Sequence, residues 1–298
     1  MNTISSYLSL IRFSHTLFAL PFALLSYAMA LKLNLIGGKT FRFSDILGIL
    51  LCMVFARSAA MGFNRIADRK IDAENPRTAR RHLPAGLVSL NGVSFFVTIC
   101  SAGFIASTLL FLPHNTLPLY AAVPVLLFLF AYSYTKRWTA AAHFWLGASL
   151  MLAPIAAWAA VRPVCELAPL LLGVAVLFWT AGFDLIYAAQ DTDFDKQQNL
   201  FSVPGRYGIT AAFRLSALCH GIAVLCFAVI PYAYKPFGWI YAAGIAAAAV
   251  LLITEHLIAA PKKGKPLDLD RINTAFFHLN ACISLVVFAA GAAELLLH

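Results

Sequence analysis

Nine separate stretches of this 298-residue chain are long and apolar enough to cross a bilayer, and no other feature limits its fold so tightly. The hydrocarbon core of a membrane is about 30 Å thick, so a helix rising about 1.5 Å per residue needs about 20 residues to span it. Read with that ruler, the spans fall near 14–33, 44–63, 90–112, 116–134, 141–161, 167–187, 210–231, 236–257 and 275–297. The chain is 61% hydrophobic and 12% charged, whereas a soluble domain is typically about 25% charged. Folded in water it would expose large apolar patches. The expectation is an all-α integral membrane protein, a single polytopic domain over residues 1–298.

The formal net charge is +9, with 22 Lys and Arg against 13 Asp and Glu. In a membrane protein such an excess reads as topology and contact with anionic lipid, and no nucleic-acid partner is expected. Sixteen of the basic residues fall in the N-terminal segment and in the loops after spans two, four, six and eight, from Arg12 to Arg271. Only Lys32, Lys39, Arg42, Arg162 and Lys235 fall on the other side, and Arg57 lies inside span two. Positive residues stay in the cytoplasm, which places the N-terminus inside and the C-terminus on the opposite face of the cytoplasmic (inner) membrane. The six cysteines form no CxxC pair and are expected to be small buried hydrophobes, without disulfide or zinc.

Two loops on the basic side, 64–89 and 188–209, are longer than a helix hairpin needs and hold six of the 13 acidic residues. In the first, Asn64, Asp68 and Asp72 recur every four residues, so a helix continuing past span two would carry them as one polar stripe. Paired carboxylates of this kind suit Mg²⁺, which takes one or two acids and fills its shell with water and substrate phosphate. A solvated helix with Arg69 and Lys70 as intrahelical partners would show the same spacing. In the second loop Asp191 and Asp195 repeat it, and Asp184 sits seven residues before Asp191. On an unbroken helix all three share a face, while Asp193 points elsewhere. An acid inside a span, as Asp184 is, marks a functional position.

Arg77, Arg81, Lys136 and Arg137 lie on the same side, where guanidinium forks could grip a diphosphate and where topology alone would also place them. Arg57 lies seven residues before Asn64, two helical turns deeper inside span two, and must be paired. A substrate carboxylate and Asp184 are both possible partners. A secondary transporter also carries acids within a helical bundle, but near its midplane, whereas these cluster at one mouth.

Asn64-x-x-x-Asp68-x-x-x-Asp72, followed by Asn75-Pro76-Arg77-Thr78 and Leu83-Pro84-Ala85-Gly86, resembles the first signature of the UbiA superfamily of intramembrane prenyltransferases. Asp184-x-x-Tyr187-x-x-x-Asp191-x-x-x-Asp195 resembles the second. Tyr134-x-Lys136-Arg137, Leu146-Gly147, Ala153-Pro154 and Asn280 are also similar to the family, whose quinone-pathway branch of 4-hydroxybenzoate polyprenyltransferases and related futalosine-route menaquinone enzymes is most alike. His82 stands where many members carry proline. The resemblance implies a nine-helix bundle around a central cavity, with motif 1 (64–86) and motif 2 (184–208) at its cytoplasmic mouth under cap helices. It implies that Asp68, Asp72, Asp191 and Asp195 hold Mg²⁺ and that Arg77, Arg81, Lys136 and Arg137 bind the diphosphate. Arg57, Asn64, Asp184 and Tyr187 would lie near the aromatic acceptor. The expected substrates are a polyprenyl diphosphate and a hydroxylated aromatic acid, 4-hydroxybenzoate or a naphthoate.

Overall fold

The computed structural model describes residues 16–261 and 267–297. Arg12, Lys262, Lys263 and Lys265 of the charge count, the first two residues of the first span and His298 lie outside the described residues. Among the described residues the chain is helical, with turns and loops between, and nine helical stretches are long and apolar enough to cross a membrane. In order these are α1 (Thr16–Ile36), α2 (Phe43–Glu74), α3 (Leu90–Thr108), α4 (Leu117–Thr135), α5 (Ala142–Val161) and α6 (Leu167–Ala188). Two short helices, α7 (Thr192–Gln197) and α8 (Val203–Tyr207), precede α9 (Ile209–Ala233) and α10 (Trp239–Ala259). The last stretch is α11 (Leu269–Thr274), a π turn over Ala275–Leu279, and α12 (Asn280–Leu297).

Each span agrees with the sequence reading to within a few residues except three, of which the sixth continues through a 3₁₀ turn and α7 to Gln197. The second runs on without a break to Glu74, carrying the first motif with it, and the last begins at Leu269. Of the expected cap helices, α7 and α8 form within the second motif, while residues 75–88, which include the second half of the first, form a succession of tight turns. Polar side chains close the helix ends that leave the apolar runs. Ser89 accepts from the Gly92 N–H at 3.0 Å, Ser202 from Gly205 at 3.2 Å and Asp268 from Arg271 at 3.1 Å, satisfying donors that have no intrahelical partner.

Contacts divide the chain into two compact units. The first, Arg42–Tyr134, packs α2 against α3 and α4 around Ala59, Cys100, Phe104, Ala122 and Leu126, with Phe63 stacked on Phe130 at 4.4 Å between ring centroids. Gly62 and Gly103 make these approaches possible, since a Cβ on either would run into Val97 or Phe55.

The second unit comprises Leu17–Phe41 and the chain from Thr135 onward. Here α6 is the most enclosed helix, with Trp179, Leu172 and Leu185 fully buried. It packs closely on α5 at Gly147 and on α9 at Gly182, where Ser216 Oγ donates to the Gly182 carbonyl at 2.7 Å. Helix α1 is fixed by Phe22 against Trp179 and by Ser26 Oγ donating to the Pro154 carbonyl at 2.7 Å. A buried acid, Glu294 of α12, accepts from the Tyr241 N–H at 2.8 Å and so caps α10 from a neighbouring helix. The cysteine expectation needs correction. Cys100 and Cys219 are buried, but Cys165 and Cys282 are exposed, the first in the α5–α6 loop and the second on a spanning helix whose outer face is apolar. Apolar character predicts removal from water, and in a membrane protein lipid serves that purpose as well as a core.

Candidate active site

In the first unit, the continuity of α2 turns four-residue spacing into geometry. Asp68 and Asp72 are 3% and 4% exposed and lie one above the other. Asn64 Nδ2 donates to Asp68 Oδ2 at 3.2 Å and reaches Ser133 Oγ of α4 at 3.4 Å, so it aims the first carboxylate from one turn back. Buried acids need cations, and Asp72 has two. Arg81 Nη1 donates to Oδ1 at 2.8 Å and Oδ2 at 2.9 Å, and Arg65 Nη1 stands 3.9 Å away.

The loop sequence explains how Arg81 gets there. Asn75 Oδ1 accepts from the Arg77 N–H at 2.9 Å, and the Asn75 carbonyl accepts from Thr78 and Ala79, an Asx turn that suits Pro76 at its second position. Thr78 Oγ1 then donates back to the Asp72 carbonyl at 2.9 Å. The chain is thereby folded over the end of α2, which returns Arg81 to Asp72. Gly86, at φ +70, closes the following Leu83-Pro84-Ala85-Gly86 turn in a conformation that L side chains rarely adopt. Arg77 is exposed. His82 contributes its carbonyl, which accepts from Leu87 and Val88.

Arg57, deeper in α2, has its Nε buried without a hydrogen-bond partner, and it makes no ion pair among the described residues. The carboxylate considered as its protein partner, Asp184, is engaged elsewhere.

In the second unit, Asp184 Oδ2 lies 2.7 Å from His143 Nδ1 of α5. His143 Nε2 faces the Val203 N–H at 3.5 Å, so the ring bridges Asp184 to the start of α8. Beyond Asp184 the expected unbroken helix stops. α6 ends at Ala188, Asp191 falls in a single 3₁₀ turn over Ala189–Asp191, and Asp195 belongs to α7. The expected unbroken helix is thus interrupted between Asp184 and Asp195, while Asp191 and Asp195 remain neighbours. A 3₁₀ turn advances fewer residues per revolution, and Thr192 Oγ1 bonding the Ala189 carbonyl at 2.8 Å fixes the break. Asp195 instead gathers with Ser202, Asp191, Lys136 and His143. The loop beyond α7 is tied to the α4–α5 connection by Phe201 N–H donating to the Lys136 carbonyl at 2.7 Å. Asp193 is exposed, as expected, and so is Arg137. Tyr187 lies against Phe276 of the π turn, with ring centroids 4.2 Å apart.

Sequence reasoning missed Arg65, Thr78, Ser133 and His143. Arg65 and Thr78 lay within the quoted motifs as unassigned letters. Ser133 and His143 come from other spans and carry no local signal. Among the described residues no three His, Cys, Asp or Glu side chains converge as a ready-made metal cage. The Asp68 and Asp72 carboxylates are hard oxygen donors of the kind that fit Mg²⁺, which relies on substrate phosphate and water for its remaining ligands.

A sequence model of the UbiA prenyltransferase family matches residues 14–280. The chain belongs to that family. This UbiA-family protein is 30% identical over 231 residues to 4-hydroxybenzoate octaprenyltransferase of Marinobacter nauticus, covering 77% of this chain and 76% of the relative. It is 31% identical over 250 residues to the enzyme of that name from Aliivibrio fischeri, covering 83% and 82%. Its fold matches the apo structure of a UbiA homolog from Aeropyrum pernix K1 with a TM-score of 0.80 and 32% identity, over 94% of this chain and 98% of that one. A UbiA homolog from Archaeoglobus fulgidus bound to GPP and Mg²⁺ shares the fold at a TM-score of 0.70 and 20% identity, over 97% and 99% of the two chains. The UbiA-family protein is thus an integral membrane prenyltransferase.

Proposed function

We propose that this enzyme transfers a polyprenyl chain from an allylic diphosphate to the ring of a hydroxylated aromatic acid, 4-hydroxybenzoate or a naphthoate, in quinone biosynthesis. The observation that carries this reading is Arg57, a guanidinium with a buried, unpartnered Nε on a membrane span. A planar carboxylate on the acceptor suits its fork. Relatives named 4-hydroxybenzoate octaprenyltransferase, alike over about four-fifths of the chain, support the same acceptor class.

In this reaction the C1–O bond of the allylic diphosphate breaks, a bond forms between C1 and a ring carbon, the ring loses a proton and diphosphate departs. Asp68, Asp72, Asp191 and Asp195 would hold Mg²⁺, which when bound neutralises the leaving diphosphate. Arg77, Arg81, Lys136 and Arg137 would bind its oxygens, so a diphosphate competes with Asp72 for the fork of Arg81. Asn64, Asp184 and Tyr187 would sit near the acceptor with Arg57. His143 holds Asp184 in orientation, and the apolar spans keep water from the carbocation.

Purified enzyme supplied with a labelled polyprenyl diphosphate should prenylate one of these acids, and excess chelator should stop it. The proposal falls if no hydroxylated aromatic acid is prenylated, and its metal component falls if chelation has no effect.

We also propose that the motif loops face the cytoplasm, as the charge bias supports. Cys165, exposed in the α5–α6 loop, then faces outward. A membrane-impermeant maleimide should label it in intact spheroplasts, in a background lacking Cys282. A cysteine introduced at exposed Ala73 should react only after permeabilisation. The reverse pattern inverts the topology.

A further inference from the structure

The most enclosed polar pair in the second unit lies outside the motifs. Glu255 of α10 and Asn280, the first residue of α12, are both 0% exposed. Asn280 Nδ2 donates to Glu255 Oε1 at 2.8 Å. The pair does not satisfy itself, because Glu255 Oε2 and Asn280 Oδ1 are both buried without a hydrogen-bond partner. Two orphaned acceptors cost more than one neutral hydrogen bond returns, so stability alone does not account for the pair.

What the pair does touch is the π turn. Over Ala275–Leu279 the ordinary helical ladder is broken, and the backbone N–H of Asn280 goes to the Phe277 carbonyl. The Phe276 carbonyl is thereby deprived of the donor an α-helix would give it. The side chain of Asn280 supplies the replacement, with Nδ2 3.3 Å from the Phe276 carbonyl and 3.5 Å from that of Ala275. Glu255 holds that amide in place from the neighbouring helix. A π turn inserts an extra residue into the helix, so it rotates everything before it relative to α12 by about 100°, a little over a quarter of a turn. The residue it re-aims is Phe276, whose ring lies 4.2 Å from Tyr187 and edge-on to Phe183 at 5.3 Å. Tyr187 stands between Asp184 and Asp191 on the second motif.

We propose that Glu255 and Asn280 are positioning residues for the acceptor end of the site, holding the π turn that seats Phe276 on Tyr187. This rests on the reading that Tyr187 lies beside the aromatic acid. Relaxing the turn to a plain α-helix would withdraw the Phe276 ring and loosen the surface against which the acceptor packs, while leaving the carboxylates of the motifs untouched.

The test uses the double variant Glu255→Leu/Asn280→Leu, because removing both partners leaves no orphaned polar side chain, and the Phe276 carbonyl that loses the Asn280 amide regains a backbone donor once the turn relaxes to an α-helix. Its KM for the aromatic acid should rise about tenfold, with KM for the prenyl diphosphate within about twofold of wild type. Phe276→Leu, which leaves the pair intact, should reproduce that split. Glu255→Gln keeps an acceptor for Asn280 and should restore the wild-type KM. Amide hydrogen exchange across 275–284 should change in the double variant and not in Glu255→Gln, a readout that needs no substrate. Equal changes in both KM values, wild-type values in the double variant, or unchanged exchange would overturn the proposal. A wild-type enzyme that prenylates no aromatic acid is a separate failure, of the acceptor reading itself, and is seen before any variant is made.

Discussion

Replacing Asp68 by Asn, or Asp191 by Asn, should lower kcat on the order of 10²–10³-fold, the scale seen when a preorganised charge at a reacting centre is removed. Asp68 is 3% exposed and held by Asn64, so the substitution preserves shape and hydrogen-bonding reach while deleting charge. The loss should therefore appear in turnover, with the thermal midpoint in detergent little changed. Asp72→Asn differs, because it also strips the partner from Arg81 and Arg65. It should cost folding stability as well as activity, since breaking one side of a buried pair strands the other. Exposed Asp193 is the internal control, and Asp193→Asn should stay within about twofold of wild type, as surface changes usually do. Matching losses at Asp68 and Asp193, followed by steady-state kinetics, would remove the assignment of the buried carboxylates.

The second large effect concerns folding. A Cβ at Gly147 would collide with the carbonyl oxygen of Leu177 and lie 3.3 Å from its Cα. The obstacle is backbone, which no rotamer change can move, so α5 and α6 would have to part. Overpacking a core typically costs about 1–3 kcal/mol where side chains can yield, and here they cannot. Gly147→Leu is expected to abolish folded protein, and Gly147→Ala to lower the thermal midpoint by several degrees, roughly the shift that about 2 kcal/mol produces in a chain of this size. Gly221 of α9 provides the contrast, because a Cβ there meets nothing within 4 Å. Gly221→Ala should be neutral or stabilising by up to about 1 kcal/mol, the ordinary helix-propensity gain. Monodisperse yield and melting in detergent, compared for the three variants, decide it. Equal behaviour of Gly147→Ala and Gly221→Ala would show that the α5–α6 approach is not limiting.

Membrane spans were legible because each needs a single local property, sustained apolarity over about 20 residues. The stripe of Asn64, Asp68 and Asp72 was legible for a related reason, since α2 is regular and its spacing maps directly onto a face. The second motif defeated the same logic at Ala189. Nothing in the letters distinguishes an α-helix from one 3₁₀ turn that Thr192 stabilises by bonding a carbonyl three residues back. His143 and Asp184 are 41 residues apart, and Asn64 and Ser133 are 69 apart. Such pairings are products of how spans pack, and no spacing rule reaches them. Glu255 and Glu294, two buried acids of the spans outside the motifs, were passed over because neither belongs to a cluster in sequence. One supports a π turn and the other caps a helix, roles defined entirely by the neighbour each meets.

Helix α2 is a single rod of 32 residues, about 48 Å long at the standard rise, and about 30 Å of that is enough to cross the bilayer. Asp68 and Asp72 therefore stand on a rigid overhang, with no hinge between them and the apolar segment that anchors it. Thickening or thinning the surrounding lipid is absorbed by tilting such a rod, and a tilt at its base becomes a sideways and vertical displacement at its tip. The height of these carboxylates above the hydrocarbon boundary is accordingly a property shared by protein and membrane. With the catalytic role proposed for these carboxylates, turnover is expected to depend on the acyl-chain length of the surrounding lipid.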